Sequence, residues 1–246
     1  MVNGRTLIVG AVLLDALLEV GKAISIAACF LACSVDSYSQ PETFTINARQ
    51  NPAGALPISF RCLNVDYQDG YLTDPRGEKT KSAKFNYDLY LSLLTFINEM
   101  GDTLLIKEPA AVTYVHIGNE DFYHHVKSGL YKILAADTFG FLTANAQLIK
   151  RLPKPTNEGY GTTTNGTTST VSRSLDVTYE RITKYYLIER SGAISPATKQ
   201  GFYRTFRNQE DILKAHINKE KVNFNNEEDL VRLFRYAISL GSQNVK

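Results

Sequence analysis

Leu93-Leu94-Thr95-Phe96-Ile97, then Asn98-Glu99-Met100-Gly101-Asp102, then Thr103-Leu104-Leu105-Ile106 follow one another in this chain. Two β-prone apolar runs around a Gly-Asp turn make the clearest hairpin signal, because Gly supplies the backbone conformation the reversal needs. On the N-terminal side, Phe44, Ile46 and Ala48 alternate with polar residues. Phe60, Cys62, Val65 and Tyr67 read as a further extended run closed by Asp69-Gly70, and residues 71–73 precede the turn-rich Asp74-Pro75-Arg76-Gly77. On the C-terminal side, Val112, Tyr114 and His116 alternate up to Gly118, and residues 131–134 and 139–142 add strands. Period-two alternation puts one face on a core and the other toward solvent. Residues 40–152 are therefore expected to be an antiparallel, β-rich domain whose sheet is folded over or partly closed.

Residues 153–174 break this pattern. Pro153-Lys154-Pro155 opens a stretch that includes Thr162-Thr-Thr-Asn-Gly-Thr-Thr-Ser-Thr170. Such a segment has no apolar surface to bury and reads as a linker or a long exposed loop. Beyond it, residues 175–246 are expected to form a small module, a β-hairpin on two or three short helices, giving an α+β fold. Tyr185-Tyr186-Leu187-Ile188 is a strand, Ser191-Gly192 a turn, and Ala193-Ile194 opens the partner strand. Ile212, Leu213, His216 and Ile217 share one helical face behind an Asn208/Asp211 capping pattern. Asn225 or Asn226 caps a second helix whose stripe is Leu230, Leu233, Phe234 and Ala237, with Glu227, Glu228 and Asp229 in its first turn.

The 246 residues carry 27 Lys+Arg against 25 Asp+Glu and are 43% hydrophobic. That composition belongs to a folded chain and excludes fibrous, largely disordered and polytopic membrane proteins. A net charge of +2 argues against nucleic acid or anionic lipid as a partner.

The N-terminus points to export. Lys22 precedes Ile24-Ser-Ile-Ala-Ala-Cys-Phe-Leu-Ala-Cys-Ser-Val35, which carries no charge, and Ser37 and Ser39 stand at the −3 and −1 positions before Gln40-Pro41. A basic start, a short apolar centre and a small-residue exit make a signal peptide, residues 1–39, cleaved between Ser39 and Gln40. The apolar centre spans about 18 Å as a helix, too short for a bilayer. Residues 1–19, interrupted by Asp15 and Glu19, are either part of that peptide or a mis-assigned extension upstream of a start at Val20. Ile26-Ala27-Ala28-Cys29 offers a lipidation alternative, which the apolar Phe30-Leu31 that follows disfavours. Cleavage leaves Cys62 as the lone cysteine, so stability has to come from a core rather than a disulfide. No transmembrane span is expected in the mature chain.

Asn51-Pro52-Ala53-Gly54, Asp66-Tyr-Gln-Asp-Gly70 and Asn86-Tyr87-Asp88-Leu89-Tyr90 resemble an exported, signal-peptide-bearing protein family of Bacteroidetes. So do the hairpin around Gly101, the Tyr185-Tyr186-Leu187 strand, and the tail Ile217-Asn218-Lys219-Glu220-Lys221-Val222-Asn223-Phe224 with Glu227-Glu228-Asp229-Leu230. The resemblance implies the periplasm or the periphery of the outer membrane of a Gram-negative cell, with export beyond the cell left open. It carries no catalytic residues.

The densest chemical cluster is His116, Glu120, Asp121, His124 and His125. Imidazole with carboxylate suits a divalent metal, though adjacent His124 and His125 would point opposite ways on a strand. The chain lacks a Gly-x-Ser-x-Gly elbow, a phosphate-cradling loop and a dinucleotide fingerprint, so no cofactor is expected. Cys62, within Phe60-Arg-Cys-Leu63, reads as a small buried hydrophobe. Tyr87, Tyr90, Tyr185 and Tyr186 offer a ligand- or partner-facing surface or, equally, cross-strand packing. Asp102-Thr103-Leu104 matches a short O-glycosylation pattern and also simply opens a strand. Three functions follow. The first is a non-enzymatic accessory or binding subunit of an outer-membrane or periplasmic assembly, with a protein partner in the envelope. The second is a metal-binding protein or metal-dependent hydrolase using His116 to His125. The third is a soluble carbohydrate or peptide binder using the tyrosines.

Overall fold

The computed structural model describes residues 42–152 and 176–243. The signal peptide with its Ser39/Gln40 junction, and the 153–174 stretch, lie outside those residues. Among the described residues, eleven strands form one sheet in which every pairing is antiparallel. They are β1 (Thr43–Asn47), β2 (Gln68–Thr73), β3 (Ala83–Asp88), β4 (Leu93–Ile97), β5 (Thr103–Leu105) and β6 (Tyr114–Ile117). Then come β7 (Glu120–His125), β8 (Gly129–Ala136), β9 (Gly140–Arg151), β10 (Asp176–Glu189) and β11 (Ile194–Pro196). The order is β1-β10-β9-β8-β7-β6-β2-β3-β4-β5, with β11 also pairing β10. With three C-terminal helices added, the chain is α+β.

The hairpin that opened the reading is β4–β5, with Gly101 at φ +88° in its turn. Two other stretches differ from expectation. Residues 58–61 form a helical turn rather than a strand, because Pro57 starts it and its carbonyl receives the Arg61 N–H. Asp69-Gly70 lies inside β2 rather than closing a run. Gly70 is required there by close approach, since a Cβ would sit 2.0 Å from the His116 carbonyl oxygen.

β10 is fourteen residues long and is in register with β9 from Thr178↔Arg151 to Glu189↔Gly140. The residues on the two sides of 153–174 thus build one sheet. Its inward row reads Val177, Tyr179, Arg181, Thr183, Tyr185, Leu187, and the two polar members interrupt the apolar alternation that marks a strand. Arg181 is inward for a reason: its guanidinium donates to the Cys62 and Leu63 carbonyls.

The sheet curls over its inner face. β3 and β8 are four steps apart, about 19 Å in a flat sheet. Yet a Cβ on Gly129 of β8 would lie 2.4 Å from the Tyr87 hydroxyl of β3. The curl buries Leu72, Phe85, Tyr87, Val115, Ile117, Phe122 and Leu130 in one cluster. Farther along the same face, Ile46, Val177 and Tyr179 pack on Leu56 and Phe60. These last two lie beside and within the short helices α1 (Pro52–Ala55) and α2 (Ile58–Arg61).

The third cluster joins Leu142 and Leu187 to helices α3 (Lys199–Thr205), α4 (Glu210–Glu220) and α5 (Glu227–Gln243). Leu230, Leu233, Phe234 and Ala237 on α5 are all at most 1% exposed, as the stripe predicts. On α4, Leu213 and Ile217 are buried while Ile212 is 51% exposed. Covering the inner face at this end leaves the opposite face of β6–β10 as the outer face, on which Tyr131, Thr143, Asn145 and Ile188 are nonetheless buried among their neighbours.

Candidate functional site

The His116–His125 residues are distributed by strand alternation. Along β7, Glu120, Phe122 and His124 share the inner-face parity, while Asp121, Tyr123 and His125 face outward. His116 Nδ1 lies 2.7 Å from Asp121 Oδ1, and its ring stacks on Tyr71 with centroids 4.9 Å apart. Glu120 Oε1 is 2.6 Å from Lys132 Nζ, a bond that raises the lysine above its ordinary value. His124 is buried with Nδ1 3.1 Å from the Val112 carbonyl, and His125 Nδ1 is 2.6 Å from Ser128 Oγ. Among the described residues no three His, Cys, Asp or Glu side chains come together to hold a metal ion. The sequence cluster is thus four separate local contacts on two faces.

The four tyrosines likewise part company. Tyr87 is 4% exposed, and burial pushes its phenol above the ordinary value although Ser92 and the Leu130 backbone hydrogen-bond it. Tyr90 meets Tyr179 edge-on at 5.9 Å. Tyr185 packs into the helix cluster, and only Tyr186 lies on the outer face, edge-on to Tyr131 at 5.4 Å. Cys62 is 3% exposed, and burial pushes its thiol up. A thiol so placed stays protonated and unreactive.

The outer face instead gathers three other aromatic residues, Tyr114, Tyr123 and Phe141. Tyr114 of β6 and Tyr123 of β7 stand opposite each other, and Phe141 of β9 reaches them across β8. The rings are mutually close. Tyr114 lies 5.8 Å from Tyr123 and 6.2 Å from Phe141, edge-on to both, and Tyr123 and Phe141 are 6.1 Å apart and 26° from parallel. The register of β8 against β9 shifts between Ile133 and Ala135, and Ala136 then lies beside Phe141. Ala136, a small side chain past that bulge, lines a cleft of about 570 Å³ together with the three rings.

The cleft's polar rim comes from two turns. Asp137 and Gly140 exchange backbone bonds to close the β8–β9 hairpin, and the Glu189–Gly192 turn follows β10. Gly140 is obligatory, since a Cβ would sit 2.0 Å from the Ile188 carbonyl. These turns bring Asp137, Glu189 and Arg190 to the aromatic corner. The Thr138 hydroxyl donates to Asp137 Oδ1 at 2.7 Å and holds that carboxyl below its ordinary value, so it stays an ionised acceptor.

A second concavity of about 370 Å³ lies between α4 and α5, where His216 stacks on Tyr236 at 3.8 Å. Its Asp229 is already engaged, accepting the Asn223 N–H at 2.8 Å and contacting Arg232. The aromatic cleft is the larger, and its rings come from three strands of the rigid sheet. Finding it needed the order and register of β6 to β9, which no single stretch of sequence contains. Comparison with family models, with curated proteins and with solved structures yields no match for this chain.

Proposed function

We propose that the chain is a non-enzymatic binding protein that works in the cell envelope after export, as an accessory or ligand-capturing subunit of a periplasmic or outer-membrane assembly. The aromatic cleft of Tyr114, Tyr123 and Phe141 is the surface it binds with. One observation carries this reading: three large rings sit together on the outer face, and none of them belongs to the three buried core clusters. Aromatic surfaces of that kind are enriched where proteins meet ligands and partners. The cleft volume falls in the range of about 300–1,000 Å³ usual for ligand sites. Among the described residues, no helix is long and apolar enough to cross a membrane, which is compatible with a peripheral place in the envelope.

The test is affinity purification of a tagged chain from its native envelope in mild detergent after light crosslinking, beside a Tyr123→Ala, Arg190→Ala double variant. A defined set of envelope partners with the native chain, depleted with the variant, is expected. Recovery of the chain alone from both contradicts the accessory role.

A further inference from the structure

We infer that the ligand of the aromatic cleft is a neutral carbohydrate, its ring faces lying on Tyr123 and Phe141 and its hydroxyls meeting Asp137, Glu189 and Arg190. This rests on the reading of the cleft as the binding surface and adds the chemistry of what occupies it. Three properties select that chemistry. The first is shape. Ring centroids 5.8–6.2 Å apart mean the rings touch one another, so no guest fits between them. An aromatic cage for a cation needs a gap between its walls. What the three rings offer is their shared outward apolar surface, with Tyr123 and Phe141 26° from parallel and Tyr114 edge-on to both, which suits a ligand with an apolar face. A pyranose presents such a face through its axial C–H bonds.

Charge is the second property. Arg190 is the one cation among the described lining residues and stands with two carboxylates, Asp137 and Glu189. Attraction from Arg190 contributes to keeping Asp137 ionised. The rim is net negative, which disfavours phosphate, sulfate or carboxylate ligands. Its mixed groups offer acceptors and a five-donor guanidinium, the complement of hydroxyls that both donate and accept.

The third property is position. The rings project from the face of the sheet, where backbone groups are already paired between strands. A peptide adding as a strand requires a free edge. A sugar uses side chains alone.

The experiment is an array of linear gluco-, manno-, xylo- and galacto-oligosaccharides probed with the full chain, followed by calorimetric titration of the best-bound sugar. We expect saturable binding of at least one series, weakened about tenfold or more by Tyr123→Ala. Arg190→Ala, at an exposed turn that the core does not use, should weaken it several-fold without touching the rings. His216→Ala, in the other concavity, should leave it unchanged. Circular dichroism of each variant separates lost binding from lost folding. No signal for any of the four series overturns the inference, as does binding that both cleft variants retain. A photo-crosslinking residue at position 123 separates the two claims. Capture of a protein or peptide there with no sugar binding removes the carbohydrate and keeps the cleft. Neither capture nor sugar binding removes both.

Discussion

Asp88 shows how a single buried charge is made tolerable. The residue is 2% exposed, yet its Oδ1 accepts the backbone N–H groups of Tyr90 and Leu91 at 3.0 and 2.9 Å. Its Oδ2 faces Arg61 Nε at 2.9 Å, an ion contact without hydrogen-bond alignment. Asp88→Ala takes the carboxylate from Arg61, which keeps the Ala53 carbonyl, and uncaps two amides, so it should cost about 3 kcal/mol in urea unfolding. Asp88→Asn keeps an acceptor for the amides and should cost clearly less. Tyr87, next in the chain, gives a pH dependence. Its folded-state pKa lies above the unfolded value near 10, so the folded state holds the proton more tightly. Stability is therefore full below that value and falls as pH rises through the raised one. Urea midpoints measured from about pH 8 to about pH 11 should stay level and then decline, and Tyr87→Phe should flatten the decline. Tyr87 was legible in the sequence as a residue of an aromatic stretch. Its burial was not, because that depends on the curl that sets Gly129 against its hydroxyl.

At the scale of elements, α5 follows from its own sequence. Asn226 Oδ1 accepts the Asp229 N–H at 3.0 Å, acidic residues fill the first turn, and the stripe faces the sheet. Asn226→Ala should cost about 1 kcal/mol. Leu233→Ala, at a fully buried position, should cost about 3 kcal/mol by chemical denaturation. The helix was readable because local signals and packing agree. β10 was readable only in part, at residues 185–188, because Arg181 and the exposed Thr183 hold places in the strand that alternation assigns to apolar residues. Of the two or three short helices expected, α3 is the one no local pattern places: its seven residues contain Gly201, a poor helix former, required where a Cβ would lie 1.9 Å from the Pro196 carbonyl. The cleft was the least legible feature. Tyr114, Tyr123 and Phe141 each look like an ordinary strand residue, and their meeting depends on three registers and the bulge in β8.

The whole molecule is tied together by the pairing of β9 with β10, which joins residues before 153 to residues after 175. Ala146 and Leu148 of β9 reach the curled cluster, while Leu142 of the same strand lies under the helices. A sheet that shares one strand among its clusters should unfold in one step. Far-UV circular dichroism and tyrosine fluorescence, free of tryptophan in this chain, should therefore give coincident urea transitions. The same pairing sets the spacing of the cleft's rings, which come from β6, β7 and β9. The most direct measurement is aromatic ¹³C NMR of the full chain titrated with the oligosaccharide that the array selects. Shifts and intermolecular NOEs concentrated on Tyr114, Tyr123 and Phe141 are the predicted result. Contacts that map instead to His216 and Tyr236, or to the exposed β5 edge, with the cleft rings unmoved, would contradict it.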